Sequence, residues 1–148
     1  MELNYFVLAR TLHVQIERLI KKLHTEKTRF YIHIDKIVDV NLFKKELSFL
    51  KHLKFVGDEN RINMIWGNIS IVKATLELMN MSILDKRKGN CMLFSGQDYP
   101  LKSNKFISNF FIKHKNINFI SSEVISSQSF DNRGLKRINH YNFHPYKN

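Results

Sequence analysis

The sequence contains few of the residues that break, cross-link or anchor a chain. Its 148 residues include one cysteine, two prolines and five glycines. A single cysteine, Cys91, cannot form an internal disulfide, and its apolar neighbours predict a buried thiol. No apolar stretch approaches the roughly 20 residues of a membrane-spanning helix, and Glu2 with no basic start fits no signal peptide. We therefore expect a cytoplasmic protein.

Acidic residues are also scarce. The chain has 13 Asp and Glu against 24 Lys and Arg, which gives a formal net charge of +11. Such a balance favours anionic partners, whether nucleic acid, an acidic membrane surface or a phosphate-bearing ligand, and does not choose among them. With 43% hydrophobic residues, the chain is long enough for one domain with a core and too short for two.

Several ligand-binding motifs are missing. Neither the glycine-rich dinucleotide fingerprint nor the P-loop pattern occurs. No Cys and His cluster has zinc spacing, and no Asp-any-Asp pair is present to hold a divalent metal against a diphosphate. The sequence therefore does not predict a metal-dependent site.

The hydrophobic period alternates along the chain between strand and helix. Short apolar runs predict strands at 5–9, 30–34, 54–56, 91–94 and 117–120. Apolar residues at helical spacing predict four helices, marked by Ile16 to Leu23, by Phe43 to Leu50 behind an Asn41 cap, by Val72, Leu76, Met79 and Ile83 behind a Ser70 cap, and by Phe106 to Phe111 after Ser103. Strands alternating with helices predict an α/β fold with a mostly parallel sheet.

Ligands of open α/β sheets bind at the carboxyl ends of the strands, so the residues that follow each strand are the candidate site. These segments are 8–10, 34–36, 61–68 and 95–100. After about Ser121 the periodicity fades, and 126–148 is a polar, aromatic and basic tail with no assigned element.

At these segments the sequence resembles a known family. The segments 31–36, 65–67, 74–76 and above all 95–104, which reads SGQDYPLKSN, are similar to the core-2/I-branching β-1,6-N-acetylglucosaminyltransferases, a family that includes the peptide O-xylosyltransferases. The matches keep the family's order over residues 4–120, and the SGQDYPLKSN run is highly specific. This resemblance is to the N-terminal part of the family's domain.

The resemblance implies a GT-A-like α/β region at 1–125 that binds a UDP-sugar. It implies transfer of a sugar, N-acetylglucosamine first, with inversion and without metal to a glycan or peptide hydroxyl. By position, the uridine pocket would be lined by Leu8, Ala9, Asp35, Met64, Ile65 and Trp66. The 95–100 loop would lie where donor and acceptor meet, with Asp98 as a candidate catalytic carboxylate. The family commonly has histidine where this chain has Arg10, and glycine in place of Asn68.

The family's catalytic domain is considerably longer than this chain. Its second half supplies the carboxylate base and the basic side chains that neutralise the departing diphosphate. We therefore expect an incomplete domain that binds more than it catalyses, with a complementing C-terminal chain and an anionic membrane surface as further partners.

Each candidate residue also has a structural interpretation. Asp35 and Asp98 could serve as turn residues, Trp66 could belong to the core, and Arg61 could be a loop charge instead of a diphosphate partner. His33 alternates with apolar residues in a strand and is expected to be structural. The alternative function is a small basic nucleic-acid-binding protein, favoured by the charge and by 12 phenylalanines and five tyrosines. No RNA-recognition or helix-turn-helix signature supports it, so no nucleic-acid partner is expected.

Overall fold

The computed structural model describes residues 1–11 and 13–120, in which strands and helices alternate. The strands are β1 (Leu3–Ala9), β2 (Thr28–Ile34), β3 (Leu53–Phe55) and β4 (Asn90–Ser95). The helices are α1 (His13–Leu23), α2 (Val40–Leu47), α3 (Ser70–Leu84) and α4 (Asn104–Lys113).

All neighbouring strands of the sheet are parallel, in the order β3-β2-β1-β4. In the register, Tyr5 of β1 lies beside Phe30 of β2 and Met92 of β4, and Phe30 lies beside Leu53 of β3. Parallel strands need crossover connections, which the helices supply. The predicted α/β fold with a parallel sheet is therefore confirmed.

The two central strands are buried on both faces, as their uninterrupted apolar sequences predict. One face carries Tyr5 and Phe30, whose rings stack with centroids 5.2 Å apart. This face of the sheet packs against α1 and α2, and Ile107 and Phe111 of α4 are partly buried against the same cluster. The other face carries a smaller cluster, formed by Phe6, Tyr31, Val56 and Leu78. The core thus lies on both sides of one sheet.

Helices α1 and α2 bury the residues that the periodicity predicts. Ile16, Leu19 and Ile20 of α1 have no exposed surface. Phe43 and Leu47 of α2 are each 2% exposed. The capping residue of α2 differs from the prediction. Asp39 is the N-cap, and its Oδ1 accepts a hydrogen bond from the Asn41 N–H at 2.9 Å. Asn41 lies within the helix, and its backbone N–H is the donor to the N-cap residue Asp39.

Helix α3 presents the opposite face from the one predicted. Its apolar stripe, which begins at Val72, is exposed, and the helix buries Ala74 and Leu78 instead. Small residues on that side allow close approach to the sheet, which explains why periodicity alone chose the wrong face. The predicted Ser70 cap is also wrong, because Ile69 is the N-cap and Ser70 begins the helix.

The edge strand β4 is only partly covered. Residues alternate between exposed and half-buried along it, and the thiol of Cys91 is free and exposed. The prediction of a buried thiol was wrong, because Cys91 lies on an edge strand whose side chains are at most half-buried within the described residues. The Ser103 cap of α4 is confirmed, since its Oγ accepts from the Phe106 N–H at 3.2 Å.

After α4 the structure describes only residues 114–120. The first compact unit is Met1–Lys115, and a second begins at Asn116. Residues 117–120 are irregular, so the strand predicted there was wrong. An apolar tetrapeptide becomes a strand only where a partner pairs its backbone. The basic tail, 126–148, lies outside the described residues. In the part that is described, no helix is long and apolar enough to cross a membrane.

Candidate functional site

Asp35 lies at the carboxyl end of β2 and joins three segments of the chain. Its side chain is fully buried. Oδ1 accepts a hydrogen bond from the Ile37 N–H at 3.2 Å, and Oδ2 accepts one from the Met64 N–H at 3.2 Å. The Asp35 N–H donates to the Ala9 carbonyl at 2.8 Å. The end of β1, the turn after β2 and the 61–68 segment are therefore held together at one residue.

Two arginines approach this carboxylate and its turn in different ways. Arg10 Nε lies 3.7 Å from Asp35 Oδ2, and the Arg10 side chain is 53% exposed. Arg61 is 11% exposed, and its Nη1 donates to the carbonyls of Asp35 and Val38 at 3.3 and 2.8 Å. Its Nε lies 2.9 Å from Asp58 Oδ1. Arg61 is thus a structural residue of the loop, whereas Arg10 has room to meet a ligand.

His33 fixes the same segment from inside β2. The imidazole is fully buried, and its Nε2 accepts a hydrogen bond from the Ile62 N–H at 2.9 Å. Burial lowers the pKa of His33 from 6.5, against a smaller rise from the Asp35 charge. A ring nitrogen that accepts from a backbone N–H carries no proton, so His33 is neutral with its proton on Nδ1. His33 has the structural role that the sequence predicts.

The 95–100 loop is held against the end of β1. The Gly96 N–H donates to the Leu8 carbonyl at 2.8 Å. A Cβ at Gly96 would lie 3.3 Å from the Ala9 Cβ and from the Ile16 side chain, so glycine permits this close approach. Gly96 was not among the predicted site residues, although a glycine directly after a strand is the signal for such an approach.

Asp98 shapes its own loop. Its Oδ2 accepts a hydrogen bond from the Ser95 N–H at 2.7 Å, and its N–H donates to the Ser95 carbonyl at 3.1 Å. This is the turn role that was one of its two interpretations. The residue is exposed, so a catalytic role for Asp98 stays a prediction.

Met64, Ile65 and Trp66 differ sharply in burial. Met64 is 9% exposed and Ile65 is half-buried, whereas Trp66 is 85% exposed. The turn after them is locked by Ser70, whose Oγ accepts from the Ile65 N–H at 2.9 Å. Gly67 occupies the left-handed region with φ of 76°. The interpretation of Trp66 as a core residue is therefore wrong, and its indole is free to meet a ligand.

The predicted uridine-pocket residues thus fall into two groups. Ala9, Asp35 and Met64 are joined by hydrogen bonds at the carboxyl edge of the sheet, and Leu8, the neighbour of Ala9, is bonded to Gly96. Ile65 and Trp66 continue from Met64 into an exposed turn. Within the described residues, no group of three or more His, Cys, Asp and Glu side chains is arranged to hold a metal ion.

Comparison with known proteins gives one matching family model. The model described as Core-2/I-Branching enzyme matches residues 3–147. The chain is similar to Xylosyltransferase 2 of Rattus norvegicus, with 29% identity over 131 residues that cover 85% of this chain and 15% of the relative. Xylosyltransferase 2 of Pan troglodytes is 31% identical over 137 residues, covering 85% of this chain and 15% of the relative.

A more distant animal protein gives a similar match. Xylosyltransferase oxt of Drosophila pseudoobscura pseudoobscura is 26% identical over 126 residues, which cover 83% of this chain and 14% of that protein. The chain therefore spans about 15% of the length of the curated relatives it matches.

Proposed function

Because the chain belongs to the core-2/I-branching enzyme family of glycosyltransferases, we propose that it binds the nucleotide of a UDP-sugar at the carboxyl edge of its sheet. The sugar would be transferred with inversion to an acceptor hydroxyl, without a metal ion. The residues proposed to line the uridine pocket are Leu8, Ala9, Asp35, Met64, Ile65 and Trp66.

The observation that carries this proposal is the convergence at Asp35. Residues from two strand ends and a distant loop meet there through hydrogen bonds of 2.8–3.2 Å. Parallel α/β sheets bind ligands at this edge. A pocket pinned by backbone hydrogen bonds loses little conformational freedom when the nucleotide binds, which favours affinity.

Trp66 and Arg10 are the proposed contacts for the two ends of the nucleotide. The indole of Trp66 is 85% exposed and offers an apolar face against which a base can stack. The half-exposed guanidinium of Arg10 would offset the charge of the diphosphate. An enzyme without metal must stabilise the departing diphosphate with Lys or Arg, and Arg10 is our candidate among the described residues.

The relatives support a choice of donor sugars to test. Those described above are named xylosyltransferases, so we propose UDP-xylose as the first donor to test and UDP-N-acetylglucosamine as the second. The acceptor would be a hydroxyl of a peptide serine or of a glycan. Because the chain spans about 15% of these relatives, the activity itself is part of the proposal.

Further partners are proposed from the charge and from the family. A complementing polypeptide would supply a catalytic base, and an anionic membrane surface would attract a chain of net charge +11. The proposed location is the cytoplasm, with peripheral attachment to that surface. A UDP-sugar is itself an anionic partner of the kind that the net positive charge favours, so nucleic acid is not part of the proposal.

Calorimetric titration with UDP in the presence of EDTA tests the donor site. We expect saturable binding without divalent metal, and about tenfold weaker binding in the variant Trp66→Ala, because loss of base stacking removes about 1–3 kcal/mol. Phe49→Ala is the matched control, since Phe49 is an exposed aromatic residue beyond the end of α2. Binding that requires added manganese or magnesium would contradict metal independence, and equal losses in both variants would contradict the role of Trp66.

A further inference from the structure

We propose that the opposite edge of the sheet, where the strands begin, carries a binding pocket for a phosphate or sulfate group, formed by Arg29, Arg87 and His52. This pocket is distinct from the proposed donor site and does not depend on it. Arg29 lies near the start of β2 and Asp35 directly follows its end. At about 3.3 Å per strand residue, the two residues are about 20 Å apart.

The pocket is a cavity of about 350 Å³ between the start of the sheet and the end of α3. Arg29 and Tyr31 are two residues apart on β2 and point to the same face. Lys54 of β3 is the register neighbour of Tyr31. The turn after α3 adds Asp85 and Arg87 to the lining.

The acidic residue of the pocket, Asp85, is already paired. Its Oδ1 lies 2.5 Å from Lys54 Nζ, and its Oδ2 accepts a hydrogen bond from the Tyr31 hydroxyl at 3.0 Å. The Lys54 hydrogen bond lowers the pKa of Asp85, so the carboxylate stays ionised and neutralises that lysine. The guanidinium groups of Arg29 and Arg87 therefore supply the net positive charge of the cavity.

Neither arginine has a carboxylate within 4.0 Å among the residues that the structure describes. Arg29 Nη1 donates to the Thr28 carbonyl at 3.1 Å, while its Nε is buried without a hydrogen-bond partner. Buried donors in proteins nearly always have an acceptor. An oxyanion in the cavity would accept hydrogen bonds from the guanidinium group of Arg29, which lines it.

His52 lies among several positively charged residues at this edge of the sheet. Loss of hydration lowers the pKa of His52, and the nearby cations Arg29, His24, Arg87 and Lys51 lower it further. Its backbone has φ of 68°, in the left-handed region, and its carbonyl accepts from the Phe30 N–H at 3.0 Å. The strand register thus fixes the position of this residue beside the arginines.

A phosphate or sulfate fits these groups chemically. The planar guanidinium presents paired N–H donors that match two oxygens of such an anion, and charge-assisted hydrogen bonds are the strong ones. Two arginines and an imidazole offer several donors to one small tetrahedral anion. A carboxylate ligand would have two oxygens for the same donors, so the tetrahedral oxyanion is the better match.

The test is a titration of the full 148-residue chain with inorganic phosphate, followed by ¹H–¹⁵N spectra at constant ionic strength. Constant ionic strength removes the general screening effect of added salt. We expect saturable shifts at Arg29, His52 and Arg87, and at least about tenfold weaker binding after Arg29→Gln with Arg87→Gln, since two charge-assisted contacts are lost.

Inorganic sulfate and glucose 6-phosphate are titrated in parallel. Tighter binding of glucose 6-phosphate would identify a phosphate ester as the ligand.

The matched control is Arg18→Gln with Lys113→Gln, which removes the same charge from exposed positions on α1 and α4. Its phosphate affinity should stay within about twofold of the parent, because distant exposed charges are screened by salt. The exposed single variant Arg87→Gln guards against a folding defect in the double variant. The proposal is overturned if phosphate gives no saturable shift, if the shifts occur at the 95–100 loop, or if the control loses as much affinity.

Discussion

Asp35 connects residues that are far apart in sequence. Its carboxylate accepts N–H groups from Ile37 and from Met64, and Met64 lies 29 positions further along the chain. A buried carboxylate without hydrogen bonds would be strongly disfavoured. These two donors, with Arg10 at 3.7 Å, therefore explain how the charge is accommodated in a fully buried position.

The variant Asp35→Asn should destabilise the fold. An amide can offer one acceptor oxygen, so its NH₂ group would face either the Ile37 or the Met64 N–H. Losing one hydrogen bond to a charged group should lower the free energy of unfolding by about 1.5–3 kcal/mol, measured by urea denaturation. Asp58→Asn is the control, because that side chain is 67% exposed and its ion pair should contribute at most about 1 kcal/mol. Equal stability of both variants would reduce Asp35 to an ordinary turn residue.

The same variant bears on the predicted contact between Asp35 and uridine. A decrease in UDP affinity is meaningful only at a temperature where the variant is fully folded. Under that condition we expect at least about tenfold weaker UDP binding, whether the contact is direct or acts through Met64.

His33 should make stability depend on pH. Burial lowers its folded-state pKa below the unfolded value of 6.5, so the unfolded chain binds a proton first as the pH falls. The stabilisation is complete above about pH 7.5 and is lost as the pH falls through 6.5 toward the folded pKa. In that window the free energy of unfolding should fall by up to about 1.4 kcal/mol per pH unit.

The comparison for His33 is His33→Gln, which can still accept from the Ile62 N–H and does not titrate. Denaturation curves of both proteins between about pH 5 and pH 8 should diverge below pH 6.5, with the variant the flatter of the two. Every other side chain is the same in both proteins, so the difference belongs to His33. Parallel curves would show that the imidazole is accessible to protons in the folded state.

Sequence reasoning predicted residue positions better than residue partners. The position of Asp35 at a strand end follows from the local apolar run. Its bond to Met64 depends on how a distant loop folds back, which no local pattern encodes. Cys91 shows the same limit, because its exposure depends on what packs over its face of β4, not on its apolar neighbours in sequence.

Among the elements, α3 has an apolar stripe that the described fold leaves uncovered. The stripe consists of Val72, Leu76, Met79 and Ile83, with exposed fractions of 44–69%. The alternating spacing of three and four residues is the heptad pattern of helices that pack against another helix. Periodicity correctly predicted the helix, but it could not tell this stripe from the side that packs on the sheet.

Substituting the α3 stripe should have little effect on folding. For Leu76→Gln with Met79→Gln, we expect the free energy of unfolding to change by less than about 1 kcal/mol, because both residues are exposed in the parent. Binding of the dye ANS and light scattering should decrease, since an exposed apolar patch becomes polar. The control Leu78→Ala removes a fully buried side chain and should lower stability by about 2–5 kcal/mol. Equal destabilisation would mean that the stripe is packed within the chain.

At the scale of the molecule, parallel pairing places the two proposed binding sites at opposite ends of the strands. The strand order β3-β2-β1-β4 brings the strand ends, with Asp35 and the 95–100 loop, to one edge, and the strand starts, with the arginine pocket, to the other. The sequence predicted the four strands, the four helices and the fold class. The first edge was predictable because ligands of such sheets bind there. The second was not, since Arg29 and Arg87 are brought together by the fold alone.

We predict that the 148-residue chain binds donor but transfers little or no sugar on its own. Asp35 is fully buried, so its carboxylate is not poised to take a proton from an acceptor hydroxyl, and Asp98 Oδ2 is engaged by the Ser95 N–H at 2.7 Å. The family resemblance places the carboxylate base in the second half of the family's domain. General-base assistance contributes about 10²–10⁴-fold, and a preorganised charge-stabilising donor about 10²–10³-fold. Without both, turnover should be near background.

The assay measures transfer from labelled UDP-xylose and UDP-N-acetylglucosamine to serine-peptide and β-galactoside acceptors. The chain is tested alone and with a polypeptide from the part of Xylosyltransferase 2 of Rattus norvegicus that this chain does not match, because a separate chain can restore activity only if it docks and supplies the base. Asp98→Asn should leave the near-background rate unchanged. Robust transfer by the chain alone would contradict the prediction and would place the base within residues 1–148. In that event Asp98, Glu123 and Asp131 are the carboxylates to replace, the last two of which lie outside the described residues.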